Sequence, residues 1–99
     1  MSGSERLDAV VRGRVQGVGF RYYVLHRAAA LDLDGWVANE ADGSVRCRAE
    51  GSRGDLEALV AALRTGPAGA RVDDVHVAWS RASGGLGPFD VRGGAHTGD

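Results

Sequence analysis

Gly35-Trp-Val-Ala-Asn-Glu-Ala-Asp-Gly-Ser-Val-Arg-Cys-Arg-Ala-Glu50 reads as two short strands about a tight turn. Asp42-Gly43 is the strongest short hairpin signal in the chain. Before it, Gly35–Asn39 forms one strand. After it, Val45, Cys47 and Ala49 alternate with Arg46, Arg48 and Glu50, giving a second strand with an arginine-rich outer face. Helical patterns flank this hairpin on both sides. Upstream, Phe20, Tyr23, Val24, Ala28 and Leu31 recur at helical spacing, which predicts a helix from about Phe20 to Leu31. Downstream, Ser52 can accept an N-cap bond and Asp55 suits the first turn of a helix. Its stripe is Leu56, Leu59, Val60 and Leu63, and Gly66-Pro67 stops it.

Beyond each helix lies a further strand. Leu7, Ala9 and Val11 alternate over about residues 6–13, and Val75, Val77 and Trp79 alternate after Val72. Phe89-Asp-Val91 is a short last strand after the Gly84–Pro88 loop. The order predicts an α+β fold, a ferredoxin-like βαββαβ sandwich. Two right-handed crossovers give one antiparallel sheet with both helices on one face and a short fifth strand. Residues 1–5 and 93–99 are mostly small and polar and are expected to be flexible, which leaves residues 6–92 as a single domain.

Composition narrows the chemistry. Thirteen acidic and twelve basic residues leave a net charge of −1, which disfavours a dedicated binder of nucleic acid or membrane surfaces. No apolar run approaches the ~20 residues of a membrane span. The N-terminus lacks a signal-peptide pattern, and the lone Cys47 cannot form an internal disulfide, so a soluble, cytoplasmic protein is expected. All twelve basic residues are arginine, which removes Schiff-base chemistry and a Walker-type lysine together. His26, His76 and His96 are scattered, and no His-x-x-x-His, Cys-x-x-Cys or Gly-x-Ser-x-Gly occurs. No metal and no other cofactor is expected. The chemistry must rest on arginine, carboxylates, amides or the backbone.

Gly13-Arg-Val-Gln-Gly-Val-Gly-Phe-Arg21 is a glycine-rich loop between a strand end and a helix start. Gly17 and Gly19 permit positive φ angles, so successive N–H groups can converge on one point. The helix beginning at Phe20 aims its unsatisfied N–H groups and positive dipole end at the same place. Arg21 can fold over that concavity with a planar fork of donors, making an anion site suited to phosphate.

The run Gly13-x-Val15-Gln16-Gly17-Val18-Gly19-Phe20-Arg21 resembles the signature loop of the acylphosphatases. Gly35-Trp36-Val37-x-Asn39-x-x-Asp42-Gly43-Ser44-Val45 resembles that family's second signature, and Gly66-Pro67 with Ala70-x-Val72 and Val75 is similar to its segment before strand four. The likeness covers about residues 6–92. It implies hydrolysis of acyl phosphates to a carboxylate and inorganic phosphate. Carried over by position, Arg21 would be the phosphate-binding catalytic arginine and Asn39 would orient the attacking water. Gln16, Gly17, Val18, Gly19 and Phe20 would form the backbone cradle. Such a site needs no general acid, because a carboxylate is a good leaving group. It needs donors for the phosphoryl oxygens and a positioned water. No side chain is an obvious general base, so the substrate's own phosphate is a plausible proton acceptor. Inorganic phosphate, the product, is expected to compete with substrate, and the protein is expected to act as a monomer.

Other residues receive plainer readings. Tyr22 and Tyr23 are packing and rim residues, Cys47 a small core residue and His26 a surface histidine. Arg46 and Arg48, with Arg12 and Arg14, make a basic stripe on the open sheet face, read as solvated but able to help attract anionic substrates. Asp32 stands where the family usually has glycine, so the end of the first helix is expected to be costlier or differently shaped. Two alternatives remain beside this reading. One is a ferredoxin-like module that binds anions or RNA without catalysis, for which strands one and three lack stacking aromatics. The other is an acylphosphatase-like domain serving carbamoyl-phosphate chemistry inside a larger hydrogenase-maturation protein.

Overall fold

β1 (Glu5–Arg14) is the strand around which the sheet is assembled, pairing antiparallel with β3 (Val45–Gly51) on one side and β4 (Arg71–Arg81) on the other. β2 (Asp34–Asn39) adds antiparallel to β3, and β5 (Asp90–Arg92) closes the sheet beside β2, for the order β4-β1-β3-β2-β5. This computed structural model describes residues 4–93; the remainder of the ends expected to be flexible lies outside the described residues. Glu5, expected in the flexible N-terminus, belongs to β1, paired with Gly51 and Arg81.

One expectation about the sheet is corrected. β5 runs parallel to β2, with Trp36, Val37 and Ala38 opposite Asp90, Val91 and Arg92, so the sheet is mixed at that edge. The cause is topological. β4 and β5 lie at opposite edges, and the connection between them crosses the sheet end before entering alongside β2. That crossing is fastened by Glu50, which is 7% exposed. Its carboxylate accepts from Ser83 N–H and Gly84 N–H, both at 3.1 Å, and pairs with Arg6 at 2.7 Å. Burial alone would raise the Glu50 pKa, but these donors outweigh it and leave the carboxyl below its ordinary value.

α1 (Phe20–Ala30) and α2 (Arg53–Thr65) cover one face. The period-two strands supply Leu7, Ala9, Val11, Val37, Val45, Cys47 and Ala49 to the core, and the helices bring Phe20, Val24, Ala28, Leu56, Leu59 and Leu63. Each fully buried leucine of α2 contributes about 1.5–3 kcal/mol, and truncating Leu59 to alanine would cost about 2–5 kcal/mol. α2 starts as expected, with Ser52 Oγ accepting from Asp55 N–H at 3.2 Å.

The register places the candidate site residues. β1 and β2 both run antiparallel to β3, so β1, β2 and β5 point the same way and end at the same edge of the fold. The last helix-facing row there reads Val75, Val11, Val45, Asn39 across four strands. Asn39 therefore shares the covered face, at the end where β1 delivers the chain to α1. β1 itself runs further than expected, since Gly13 and Arg14 still pair with Val72 and Arg71 beyond a bulge at Arg12. Gly13, at φ 134°, lets the Arg71 carbonyl approach where any Cβ would collide.

Candidate active site

Residues 15–19 join β1 to α1. Val15 is buried at the base of the loop, while Gly17 and Gly19 lie at φ 76° and 77°. Those left-handed conformations are the ones the sequence reading expected of the two glycines. Gly19 is the N-cap of α1, no side chain caps the helix, and its first turn contains no acidic residue. The positive end of α1 is thus presented to the loop. Phe20 is fully buried, which leaves only its backbone for the expected cradle.

Gln16 contributes through a different group than a phosphate ligand would. Its Nε2 donates to the carbonyls of Glu40 at 2.8 Å and Ser44 at 2.9 Å. The side chain clamps the glycine loop against the β2–β3 hairpin, which leaves only the Gln16 backbone for the expected cradle. The hairpin is stiffened in turn by Asp42, whose Oδ1 accepts from Ser44 Oγ at 2.6 Å and Ser44 N–H at 3.0 Å. Those bonds, with the Arg12 guanidinium at 3.2 Å, hold the Asp42 carboxyl at about 2 instead of the ordinary 3.8.

Arg21 is 4% exposed, a buried cation in the first turn of a helix. Its Nη1 donates to the Arg92 carbonyl at 2.9 Å. Because Arg92 lies opposite Ala38, this bond ties Arg21 to the strand beside Asn39. Asn39 is half-buried, with its carboxamide oxygen buried. Two links, the Gln16 clamp and the Arg21–Arg92 bond, therefore draw the 16–21 segment and Asn39 to one end of the sheet. The sequence reading missed Arg92. A main-chain acceptor supplied from 71 residues away leaves no residue-type signal.

The remaining candidates fall outside this group. Tyr23 packs, its ring tilted against Phe20 and its hydroxyl donating to the Ala62 carbonyl at 2.9 Å, while Tyr22 is half exposed. His26 is exposed. Cys47 is buried, and burial together with the Asp8 charge pushes its thiol up to about 12, so it is a poor nucleophile. Two of the four arginines of the expected basic stripe are paired, Arg48 with Asp8 at 2.7 Å and Arg12 with Asp42 at 3.2 Å, while Arg14 and Arg46 are exposed. Among the described residues no three His, Cys, Asp or Glu gather as a metal site, and no helix is long and apolar enough to cross a membrane.

The family model for Acylphosphatase matches residues 7–91. A curated acylphosphatase of Salinibacter ruber (strain DSM 13855 / M31) is 51% identical over 92 residues, which is 92% of this chain and 97% of that one. The crystal structure of acylphosphatase from Bacillus subtilis superposes with a TM-score of 0.86 at 40% identity, covering 89% of this chain and 98% of that chain. Full-length HypF in its phosphate- and nucleotide-bound form matches with a TM-score of 0.85 at 26% identity, covering 94% of this chain but only 12% of that one. None of these matches favours the RNA-binding alternative. With model, relatives and solved structures in agreement over nearly the whole described fold, the chain belongs to the acylphosphatase family and is a hydrolase of acyl phosphates.

Proposed function

We propose that the acyl phosphate's phosphoryl group seats in the loop Gln16–Arg21, against the backbone N–H groups of Gln16, Gly17, Val18, Gly19 and Phe20 and the fork of Arg21. The observation that carries this reading is a buried arginine in the first turn of an uncapped helix that follows two left-handed glycines. A phosphate there would meet the positive end of α1 and the Arg21 guanidinium together. Asn39, at the end of β2, orients the attacking water. The water oxygen bonds to phosphorus, the bond from phosphorus to the acyl oxygen breaks, and the carboxylate leaves with the electron pair. The water's proton passes to a phosphoryl oxygen, since no side chain of the site serves as general base. Fixed donors and a positioned water supply the rate, as expected for phosphoryl transfer to a good leaving group. The protein works as a cytoplasmic monomer without a metal, and inorganic phosphate competes with substrate.

The test is phosphate release from acetyl phosphate in the presence of a chelator, beside calorimetric binding of inorganic phosphate. Arg21→Ala should abolish turnover and phosphate binding, and Arg21→Lys should restore little because an ammonium lacks the planar fork. Asn39→Ala should lower kcat by about 10²-fold while phosphate affinity stays nearly unchanged. A folded Asn39→Ala enzyme with normal kcat would assign the asparagine to the turn alone. Activity lost on chelation and regained with a divalent metal would overturn the metal-free mechanism.

A further inference from the structure

Trp36 lies on the open face of the sheet, where two guanidiniums stack on its ring, Arg92 at 4.8 Å and Arg48 at 5.9 Å from the centroid. The two arginines differ in what holds them. Arg48 sits in a central strand and is bound to Asp8 at 2.7 Å. Arg92 ends a three-residue edge strand that makes only three pairs with β2. A strand so short is weakly held by its ladder, and fraying is greatest at its last residue. That last residue is also the one whose carbonyl receives Arg21 Nη1 at 2.9 Å.

We infer that the Trp36–Arg92 stack positions the phosphate-binding arginine from the opposite side of the sheet. The guanidinium of Arg92, laid on the Trp36 ring, pins the end of β5 to β2. The pinned backbone then presents the Arg92 carbonyl at a constant place, and that carbonyl sets the plane of the Arg21 fork. Trp36 and the Arg92 side chain are positioning residues, acting on phosphate through a backbone oxygen. The inference rests on the assignment of Arg21 to phosphate.

Arg92→Ala is the decisive variant, because it removes the guanidinium and keeps the main-chain carbonyl. Inorganic phosphate should bind about three- to tenfold more weakly and KM for acetyl phosphate should rise by the same factor, with kcat changed less. Arg92→Lys, which returns a cation to the ring, should recover part of the loss. Trp36→Ala should reproduce it, and the double variant should be no worse than either single one, as a shared interaction requires. Should Trp36→Ala fail to fold, Arg92→Ala at its exposed position still decides. A stack that only stabilises the fold would lower the melting temperature and leave phosphate affinity and KM unaltered, and that result overturns the inference. Arg21→Ala measured in parallel separates the two levels. If it leaves phosphate binding intact, the phosphate assignment itself fails. If it abolishes binding while Arg92→Ala changes nothing, only the positioning role fails.

Discussion

The two helices begin in opposite ways. At its N-cap, α2 has Ser52, which accepts the Asp55 N–H, and Asp55 itself puts a negative charge in the first turn. At the same positions α1 has Gly19 in a left-handed conformation and Tyr22, with a buried Arg21 between them. α2 caps one of its own first-turn N–H groups and sets a carboxylate against its dipole, as a helix serving stability does. α1 has neither a side-chain cap nor a first-turn acid and carries a cation at that end instead, an arrangement suited to the phosphate proposed above. On the proposed function, the difference separates a helix start built for stability from one suited to binding. Phosphate should accordingly raise the melting temperature through α1 by mass action.

The sharpest way to break the comparison is Gly19→Ala. A Cβ at Gly19 would meet nothing within 4 Å, so any loss must come from the backbone at φ 77° and not from a clash. Leaving the left-handed region displaces the N–H groups of the cradle, and a shift of about 1 Å in positioned groups can cost about 10²-fold in rate. We expect kcat/KM to fall by about that factor, measured by phosphate release from acetyl phosphate. An unchanged kcat/KM would show that the loop does not depend on this conformation. The next effect is smaller. Tyr22→Asp gives α1 the first-turn acid of α2 and should weaken inorganic phosphate about tenfold through repulsion, while the melting temperature holds or rises. If phosphate binds as before, the open helix end is not its seat.

How legible these features were depends on how far apart their parts lie in the chain. The alternation of Leu7, Ala9 and Val11, the Leu56–Leu63 stripe and the Ser52 cap are local, and each was readable directly. The left-handed Gly17 and Gly19 were readable for the same reason. The parallel entry of β5 was not, because three residues carry no usable period and their direction is set by the crossing loop that Glu50 fastens. The second role of Gln16 was also hidden, since its amide finds backbone carbonyls 24 and 28 residues away. The pairing of Arg48 follows from register: Asp8 faces it across the β1–β3 pair, which sequence alternation alone does not align.

The converse change in α2 should leave catalysis alone. Ser52→Ala removes the bond to Asp55 N–H and should cost about 1 kcal/mol by chemical denaturation, with kcat/KM unaltered because the residue lies outside the site. A change in kcat/KM would mean that α2's start is coupled to the loop, and the contrast between the helices would lose its functional meaning.

The smallest expected effect concerns how the helices end. α2 stops at Gly66 at φ 70°, whereas α1 is closed by Asp32 at φ 57°. At the end of α1 the Leu33 N–H donates to the Ala28 carbonyl and the Asp32 N–H to the Ala29 carbonyl, each at 3.0 Å, so the terminal carbonyls are satisfied in a Schellman closure. The expected cost of aspartate there is therefore conformational and electrostatic, with the hydrogen bonds intact. Asp32 occupies a region that suits glycine, and its charge lies at the negative end of the helix dipole. Asp32→Asn removes the charge and keeps a side chain tolerant of this conformation, for a gain of about 0.5 kcal/mol. Asp32→Gly also relieves the backbone, offset in part by the freer unfolded chain, for a gain of about 1 kcal/mol. Denaturation curves of both variants divide the two causes: equal gains would assign the cost to charge alone, and no gain in either would show that the surrounding structure already compensates both. Phosphate affinity should be the same in both variants as in the parent, since this end of α1 faces away from the loop that its other end leaves open.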